Sequence, residues 1–328
     1  MGDDQNPHCL QADTFRADIP FTRILSPDAK TAVYRKREGE LKTVIHWGQR
    51  KLLMSEIEFL LMCMPPEGKQ CLVVYAGAAP GTHINLLSEM FPSHWFYLID
   101  PAPFSVLPDR KIKIMQEMFT DEIARDIKDS FKDKHVLFVS DVRSTDPNED
   151  TPEDNEEKIQ KDMVAQARWH NILQPFKSML KFRLPWTKGT TRYLSGDIFL
   201  PVWGPITTTE CRLVVGTFAP EVNYDNTEHE RKMYYFNTVT RPAHYRHNVP
   251  GQGIDCCYDC RAEIGILRRL LGPRASDADI GVVSESISAR LHRTRTLSSP
   301  NPDPVLRYDA IRHNQWINGR PAYEEDND

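Results

Sequence analysis

The chain has no apolar run of about eighteen residues and no apolar segment near its N-terminus, which excludes a membrane-spanning helix and a secretory signal. With 16 glycines against 24 prolines in 328 residues, and no internal period, it is not a repeat protein. Its seven cysteines are an odd number, and without a signal they predict reduced thiols in a cytosol-like compartment. We therefore expect a globular protein of the cytoplasm that is not secreted.

The formal net charge of −5 hides an uneven distribution of acidic residues. Seven acids fall in one short stretch and four close the chain: Asp146, Glu149, Asp150, Glu153, Asp154, Glu156, Glu157, Glu324, Glu325, Asp326 and Asp328. The rest of the chain carries a net positive charge, with basic clusters at 35–37, 268–269 and 290–295. A polyanionic partner is therefore compatible with the sequence.

Helix and strand patterns alternate along the first half of the chain. Helical spacing predicts a helix over 48–64, and buried-strand runs occupy 71–77, 95–100, 111–115 and 135–141. This alternation predicts an α/β fold with a doubly wound, mostly parallel sheet and helices on both faces. We further expect an acidic mobile loop over about 145–157, a long helix over 156–179, extended segments at 179–186, 193–203 and 210–218, and helices within 228–237, 258–271 and 278–294.

These elements predict one large domain over 47–297. It follows an irregular N-terminal arm, 1–46, and precedes a tail, 298–328, that is rich in proline, asparagine and charge and is expected to be disordered or loosely docked.

Two common nucleotide-binding signatures, the phosphate loop GxxxxGK[ST] and the dinucleotide fingerprint GxGxxG, are missing. The turn YAGAAPGTH (75–83) instead places Gly77 and Gly81 between a strand and a helix, where glycine lets backbone approach a ligand. Asp100 and Asp141 close two further strands, at the edge where such sheets bind ligands. An acid there suits the ribose of S-adenosylmethionine, which has no phosphate. The alternative is a tight turn with acids that cap local backbone.

The blocks GQRKLL, VVYAGAAPGTHINLL, FYLID, SDVRS, LKFRLPW, TECRL and ERKMYYFN resemble, in this order, those of the poxvirus-type cap-specific mRNA (nucleoside-2′-O-)-methyltransferase family. The resemblance spans about 47–237 and is not visible in 1–46 or 238–328. It implies a Rossmann-like, S-adenosylmethionine-dependent methyltransferase of a cytoplasmic virus, present in the infected-cell cytoplasm, in virus factories or in the virion. Family members also serve as the small subunit of poly(A) polymerase, so the implied partners are the 5′ end of capped mRNA and a viral polymerase subunit.

The resemblance implies a catalytic tetrad of Lys51, Asp141, Lys181 and Glu210, and each position carries the matching residue. A ribose 2′-hydroxyl is a weak acid, so it must be deprotonated as it attacks a methyl group. A lysine whose pKa is lowered by burial and by a second cation can act as the general base. We expect Lys181 to be this base. The alternative is two surface lysines and two paired acids.

The resemblance also implies which residues surround the cofactor: Gln49, Tyr75, Gly77, Ala79, Pro80, Gly81, Asp100, Thr120 and Asp141. Ala102 stands where the poxviral protein has an arginine, so one polar contact to the cofactor is expected to be missing or replaced. His83 belongs to the same turn, and it either contacts a ligand or caps the helix locally.

For the cap, the family stacks the cationic 7-methylguanine between aromatic rings and reads its edge with acids. The residues implied for cap and RNA are Arg183, Trp186, Thr208, Thr209, Glu210, Arg212 and Glu230. Trp186 matches one aromatic wall, or is a core aromatic. Thr207 replaces the second aromatic residue and Lys188 replaces an acid. The second wall would then come from elsewhere, with three candidates: Tyr193, Phe21 and Tyr34. Arg143 and Arg212 either contact RNA phosphates or pair with acids.

A cysteine cluster, Cys256, Cys257 and Cys260, follows His244 and His247 at a spacing that zinc could use. Because the cysteines begin a predicted helix, we expect buried reduced thiols and no metal.

These observations predict an enzyme that methylates the ribose 2′-hydroxyl of the first transcribed nucleotide of capped mRNA. The alternative is an RNA- or cap-binding processivity subunit of a viral poly(A) polymerase, with or without methyltransferase activity. A nicotinamide-dependent enzyme is disfavoured by the glycine spacing. No membrane partner is expected.

Overall fold

The computed structural model describes residues 18–34, 47–107, 109–145, 149–204, 208–251 and 254–291. The strands in these ranges are β1 (Cys71–Ala76), β2 (His94–Ile99), β3 (Ile112–Met115), β4 (His135–Ser140), β5 (Lys177–Phe182), β6 (Thr190–Leu194), β7 (Asp197–Phe199), β8 (Cys211–Gly216) and β9 (Glu221–Asp225). The helices are α1 (Trp47–Met62), α2 (Ile84–Met90), α3 (Asp121–Ser130), α4 (Pro152–Leu173), α5 (Asn226–Tyr235), which continues into a π-helical segment (Phe236–Thr240), α6 (Tyr258–Leu271) and α7 (Asp277–Leu291). None of the helices in these ranges is long and apolar enough to cross a membrane.

One sheet of seven strands forms the centre of the fold, in the order β3-β2-β1-β4-β5-β8-β7. The strands β1 to β5 run parallel, whereas β8 is antiparallel to both β5 and β7. The central strands are buried almost throughout, as expected where both faces of a parallel sheet are covered. β6 and β9 form a separate antiparallel pair. The predicted doubly wound, mostly parallel α/β sheet is confirmed.

Helices cover both faces because the chain reverses its direction across the sheet. It moves one way from β1 through α2 to β2, and the other way through α3 and α4 to β4 and β5. Since such crossovers are right-handed, α2 lies on one face, and α3 and α4 lie on the other. The packing agrees, because α3 contacts α4, whereas α1 contacts α2, α6 and α7. The reversal leaves a crevice at the carboxyl ends of β1 and β4, which is where such folds bind ligands.

The segment after β4 differs from the sequence prediction. The helix expected over 156–179 begins at Pro152, so part of the acidic loop predicted over 145–157 is helical. The reason is a capping box that the sequence analysis missed: the Thr151 side chain accepts a hydrogen bond from the Asp154 backbone, and the Asp154 side chain accepts one from the Thr151 backbone.

The other end of this helix was also predicted wrongly. α4 ends at Leu173, where Gln174 adopts a left-handed conformation with φ of 48°, and residues 177–182 form β5. Pairing with β4 and β8 draws residues 177–179 into the strand, where the helix was expected to continue, while the extended segment predicted from residue 179 is confirmed as far as residue 182. β9 was not predicted either, although Val222 and Tyr224 alternate with polar residues in its sequence, EVNYD; the sequence analysis missed this short alternation.

The described part of the N-terminal arm, 18–34, contains no helix or strand, but it packs on the domain. Arg23 forms a two-pronged ion pair with Glu58 of α1, at 3.0 and 2.8 Å, and also contacts the Tyr258 hydroxyl. Leu25 donates a backbone hydrogen bond to Ile198 of β7 at 2.8 Å. Residues 1–17, 35–46 and the predicted tail 298–328 lie outside the described residues.

A buried ion pair joins three helices on one side of the sheet. Arg50 of α1 is 1% exposed, and its guanidinium binds both carboxylate oxygens of Glu263 in α6, with Nε 2.8 Å from Oε2. It also donates to the Ser288 hydroxyl of α7 at 2.7 Å. The pair therefore fixes α1 against α6 and α7.

We expect Arg50→Met to lower the free energy of unfolding by about 3–5 kcal/mol, because it leaves the Glu263 carboxylate buried and unpaired. Thermal and urea denaturation measure the change. Arg125→Met is the matched control, because Arg125 is 57% exposed in the surface pairs it makes and should contribute little. An equal effect of the two substitutions would contradict the role given to the buried pair.

Candidate active site

The turn after β1 and the residues after β4 touch at the crevice of the sheet. Gly77 has φ of 79°, and a Cβ atom there would lie 2.7 Å from the backbone nitrogen of Val142. Both the conformation and the space therefore require glycine. Asp141 lies between β4 and Val142. Its position is fixed by the close packing of Gly77 against Val142 and by its own N–H, which donates to the Ala76 carbonyl at 3.0 Å.

Gly81 and Asp100 complete a cradle around the same turn. Gly81 has φ of 65°, and a Cβ atom there would meet the Val106 side chain at 2.8 Å. The Asp100 carboxylate, after β2, accepts backbone hydrogen bonds from Ala79 at 3.1 Å and Ala102 at 2.8 Å. Each oxygen keeps the capacity to accept a further donor, so the carboxylate can still bind the hydroxyls of a ribose.

The four residues of the expected tetrad come together at this edge although they are far apart in sequence. Lys51 Nζ lies 2.8 Å from Glu210 Oε1, and Lys181 Nζ lies 3.3 Å from Asp141 Oδ1 and 3.7 Å from Glu210 Oε2. α1 supplies Lys51, the end of β4 leads into Asp141, β5 carries Lys181, and Glu210 immediately precedes β8.

Arg212 adds a buried cation to this cluster. The register of β5 and β8 sets Lys181 directly opposite Arg212, so both side chains project from the same face of the sheet. Arg212 donates to Asp141 Oδ1 at 2.7 Å and to Glu210 Oε1 at 3.0 Å. Arg143 Nη2 lies 3.4 Å from Glu210 Oε2. The sequence left two alternatives for Arg143 and Arg212: contact with RNA phosphates or pairing with acids. In this structure both arginines pair with acids.

The cluster lowers the pKa values of Lys181, Asp141 and Glu210. Burial lowers the pKa of Lys181, the two acids oppose this, and Arg212 and Lys51 lower it further, so that it lies below its ordinary value. Burial alone would raise the pKa of Asp141 and Glu210, but the surrounding cations outweigh it and both pKa values are lowered. The carboxylates therefore stay ionised near neutral pH, while the Lys181 ammonium loses its proton more easily than an ordinary lysine and is neutral in a larger fraction of molecules.

Gln166 of α4 holds the backbone of Lys181. β4 pairs with β5 only as far as Ser140 and Leu180, so the next residue lacks a strand partner on that side. The Gln166 side chain is fully buried; its Oε1 accepts from the Lys181 N–H at 3.1 Å, and its Nε2 donates to the Lys181 carbonyl at 3.3 Å. The amide thus replaces a neighbouring strand. Sequence reasoning missed this residue, because a glutamine within a helix carries no such signal.

The other expected cofactor residues lie around the cradle with different exposure. Tyr75 is 2% exposed and its hydroxyl donates to Glu56, so its ring lies beneath the surface of the site. The Thr120 hydroxyl caps the start of α3. Pro80 is exposed, and Gln49 is half-buried. Sequence reasoning gave Glu56 no role.

Trp186, after β5, is 40% exposed and therefore is not a core aromatic. The guanidinium carbon of Arg183 lies 5.4 Å from the centre of its ring. Glu156 of α4 binds both residues: it pairs with Arg183 and accepts the Trp186 backbone N–H at 3.1 Å. The helical turn that replaces the predicted loop thus fixes the position of this tryptophan.

Of the three aromatic residues considered for the second wall, Tyr34 lies beside Trp186. Their ring centres are 5.0 Å apart with an angle of 60° between the planes, and Tyr34 also packs on Tyr234 at 5.3 Å. Phe21 packs on two core tyrosines instead, and Tyr193 is buried. The arm therefore contributes a half-buried tyrosine that packs beside the exposed Trp186.

The remaining residues implied for the cap differ in burial and in hydrogen bonding. Glu230 is half-buried, and burial raises its pKa. The Thr208 hydroxyl accepts the backbone N–H of Glu210 at 3.0 Å, and Thr209 is 5% exposed. Lys188 is exposed, and Thr207 lies outside the described residues.

Asp255, Cys257 and Cys260 place three potential ligand atoms within 4.8 Å of one another at the start of α6. A hydrogen bond from Cys260 lowers the Cys257 pKa but burial raises it above its ordinary value, and both effects raise that of Cys260. The thiols are thereby held in their protonated form. The expected absence of a metal stays a prediction.

A doubly wound sheet with a glycine turn and ionisable side chains at this crevice is typical of α/β proteins that bind a ligand at the carboxyl ends of their strands. The comparison with known families specifies the family. The model of the family described as "Poly A polymerase regulatory subunit" matches residues 22–258, and the chain belongs to this family. The match extends the resemblance beyond 47–237 on both sides, so the arm from residue 22 takes part in it.

The relatives in this comparison are poxviral proteins. The chain is 30% identical over 214 residues to the cap-specific mRNA (nucleoside-2′-O-)-methyltransferase of fowlpox virus, covering 60% of this chain and 68% of that protein. It is 30% identical over 223 residues to the same enzyme of myxoma virus, covering 61% and 63%. These relatives support a methyltransferase activity. Among solved structures, bluetongue virus VP4, described as a multifunctional RNA-capping production line, has 15% identity, coverage of 71% and 36%, and a TM-score of 0.43, too low to carry an argument.

We expect Lys51→Met to raise the pKa of Lys181. The substitution removes one of the cations that lower this pKa and frees Glu210 to interact with Lys181. NMR titration of protein with ¹³Cε-labelled lysine measures the shift, and Lys177→Met, on the same strand as Lys181, is the control. A Lys181 pKa that stays constant or falls would contradict the electrostatic role of Lys51.

Proposed function

We propose that the protein transfers a methyl group from S-adenosylmethionine to the ribose 2′-hydroxyl of the first transcribed nucleotide of m7G-capped mRNA, converting cap 0 to cap 1. The observation that carries the proposal is the position of Lys181. Its ammonium group lies between two ionised carboxylates and a buried arginine, directly beside the glycine cradle. A lysine whose pKa is lowered by burial and neighbouring cations, placed at the ligand-binding edge of the sheet, is suited to act as a general base.

Each residue of the cluster then has its own role in removing the proton from the 2′-hydroxyl. Neutral Lys181 Nζ accepts the proton of the 2′-hydroxyl while the oxygen forms its bond to the methyl carbon and the carbon–sulfur bond breaks. Arg212 and Lys51 keep Lys181 a weak enough base to release the proton afterwards, and Asp141 and Glu210 hold these cations in place. Gln166 keeps the lysine backbone fixed, so that the reacting atoms stay aligned.

The cradle fits the proposed cofactor. Bound S-adenosylmethionine supplies an electrophilic methyl group on its sulfonium. Gly77 and Gly81 let the turn pack closely against Val142 and Val106, and Asp100 offers carboxylate oxygens to ribose hydroxyls. Ala102 supplies only a backbone N–H, to Asp100, so the side-chain contact of the poxviral arginine has no counterpart at this position.

The aromatic pair supports recognition of the cap. Trp186 offers an exposed ring on which a cationic 7-methylguanine gains stacking energy. The ring centres of Tyr34 and Trp186 are 5.0 Å apart with 60° between the planes, so the two rings would have to separate before a base could stack between them. Glu230, on α5, is the acid proposed to read the edge of the base. Docking of the arm on α5, where Ala32 N–H donates to the Arg231 carbonyl at 3.1 Å, holds Tyr34 in reach.

A second candidate function is supported by the family description. The protein would then also bind RNA as the processivity subunit of a viral poly(A) polymerase, with the polymerase catalytic subunit as its partner. The two functions are compatible in one chain. They differ in their dependence on Lys181, because proton removal has no part in RNA binding.

We expect Lys181→Ala to reduce methyl transfer from labelled S-adenosylmethionine to a short capped RNA by about 10²–10⁴-fold, because the general base is lost. In the wild type the rate should rise with pH as Lys181 loses its proton, and in Lys51→Met this rise should move to higher pH. Mapping the label to the 2′-oxygen of the first nucleotide identifies the reaction, and Lys177→Ala is the control.

Transfer that survives Lys181→Ala would refute Lys181 as the base. If the wild type binds capped RNA without methylating it, the processivity function is the better assignment. Polymerase extension assays with the Lys181→Ala variant test that function separately, because it should persist without the base.

We expect Trp186→Ala to raise KM for capped RNA about tenfold with little change in kcat, since a stacked base contributes roughly 1–3 kcal/mol. Its effect should be absent with RNA that lacks the 7-methyl group. Trp95→Ala is the matched control, because Trp95 is 41% exposed but lies on β2, near its amino-terminal end and away from the site. An equal loss with methylated and unmethylated caps would exclude a role in reading the methylated base.

A further inference from the structure

The backbone that leads into Glu210 is held by side chains from α5 and from the π-helical segment that continues it. Asn237 Nδ2 donates to the Thr208 carbonyl at 2.8 Å, and His229 Nε2 lies 3.1 Å from the Thr209 carbonyl oxygen. The Thr208 hydroxyl in turn accepts the Glu210 N–H at 3.0 Å. Asn237 is buried, so water does not readily replace its contacts. The backbone position of Glu210 therefore depends on Thr208, and that of Thr208 depends on Asn237.

The orientation of the Asn237 amide follows from its two partners. A backbone carbonyl only accepts hydrogen bonds, and a guanidinium only donates them. The Thr208 carbonyl lies on one side of the amide, and Arg241 Nη1 lies on the other, 3.2 Å from Asn237 Oδ1. The NH₂ group must therefore face Thr208, and the oxygen must face Arg241.

Arg241 is itself fixed by a buried ion pair with α6. Its Nε and Nη2 donate to Asp259 Oδ2 at 3.1 and 2.8 Å, and both side chains are almost fully buried. Nη2 also donates to the Gly204 carbonyl at 2.8 Å. Gly204 and Thr208 both belong to the loop between β7 and β8. Asn237 and Arg241 together therefore hold this loop at two points.

The π-helical segment brings these two side chains together. The Arg241 N–H donates to the Phe236 carbonyl at 2.9 Å, five residues back instead of the four of an α-helix. A full turn therefore takes more than four residues, and Asn237 and Arg241, four apart, lie close to one line on the same face. Such single π-helical turns are frequent at functional sites, and this one contacts the loop that carries Glu210.

Glu210 needs a fixed backbone because four cations surround its carboxylate. Lys51 and Arg212 lie 2.8 and 3.0 Å from Oε1, and Arg143 and Lys181 lie 3.4 and 3.7 Å from Oε2. Coulombic attraction depends on distance and not on direction, so these cations do not by themselves hold the carboxylate in one position. The loop before β8 must supply this constraint.

We propose that Asn237 and Arg241 are positioning residues that hold Glu210 in place. By fixing the loop before β8, they keep its carboxylate between Lys51 and Lys181. The inference rests on the proposed function, in which Glu210 holds these cations around the base. Neither positioning residue touches the reacting atoms, and both act through Glu210.

A displacement of Glu210 is measurable at Lys181. The charged groups that face the Lys181 ammonium are Asp141, Glu210, Arg212 and Lys51. The two acids raise its pKa and the two cations lower it, and the effect of Glu210 is larger than that of either cation. A displaced Glu210 therefore lowers the pKa of Lys181 further, even where Lys51 loses its partner at the same time.

NMR titration of protein with ¹³Cε-labelled lysine, without cofactor or RNA, tests the proposal. We expect Asn237→Ala to lower the pKa of Lys181. In methyl-transfer assays the same variant should lose about 10²-fold in kcat, the cost of a misplacement of roughly 1 Å. In a Glu210→Gln background, Asn237→Ala should not change the Lys181 pKa further, because it acts through the Glu210 charge.

Asn226→Ala is the matched control. Asn226 is also buried, and its Nδ2 also donates to a backbone carbonyl, that of Thr187 at 3.2 Å, which leads into β6 and not into Glu210. This variant should leave the Lys181 pKa unchanged. Asn237→Leu, which keeps the side-chain volume and removes the donors, is the second variant if Asn237→Ala does not fold, and the same lowering is expected.

A Lys181 pKa that stays constant or rises in the Asn237 variants would overturn the positioning role and leave the proposed function intact. A further fall in the Glu210→Gln background, or an equal fall in Asn226→Ala, would do the same. A wild type that transfers no methyl group would instead overturn the proposed function, whereas the lowered pKa, measured without substrate, would still support the positioning of Glu210.

Discussion

The pairing of β5 with β8 places Lys181 opposite Arg212, and the rest of the site follows from this repulsive pair. Two like charges on one face of a sheet need compensation, which Asp141 and Glu210 provide from neighbouring strand ends. Lys51 and Arg143 then extend the alternation of charge outward. Burial and the neighbouring cations Arg212 and Lys51 lower the pKa of Lys181, whereas the carboxylates that compensate these cations oppose the shift, so structure and proposed chemistry depend on one balance of charges.

α1 connects this cluster to the rest of the molecule. Three consecutive positions point in different directions: Gln49 meets the turn before α2, Arg50 is buried against α6 and α7, and Lys51 reaches Glu210. A helix with all sides engaged has no exposed face, which explains its weak amphipathic pattern. The buried pair of Arg50 fixes the helix, and its neighbours are thereby set against the cradle and the cluster.

Sequence reasoning predicted the sheet and its strand ends because these depend on local signals. Apolar runs of strand length, and glycines that leave no room for a side chain, are visible without tertiary knowledge. Sequence reasoning failed where contacts with other elements determine whether a segment is helix or strand. The helix was predicted to run to residue 179, yet residues 177–179 already belong to β5 between two strands, and the capping box at Thr151 turns a charged stretch into the start of α4. That turn brings Glu156 to Trp186.

The sequence by itself determined the strand segments and the glycines of the turn, because these depend on short-range constraints, and the family resemblance supplied the residues of the tetrad. The tertiary structure decided which groups compensate each other. Arg212 pairs with Asp141 and Glu210, and Tyr34, from the N-terminal arm, packs against Trp186. The partners of Gln166 and His83 could not be predicted from residue spacing. Such contacts arise from residues widely separated in the chain, and only the folded sheet and its helices bring them within hydrogen-bonding distance.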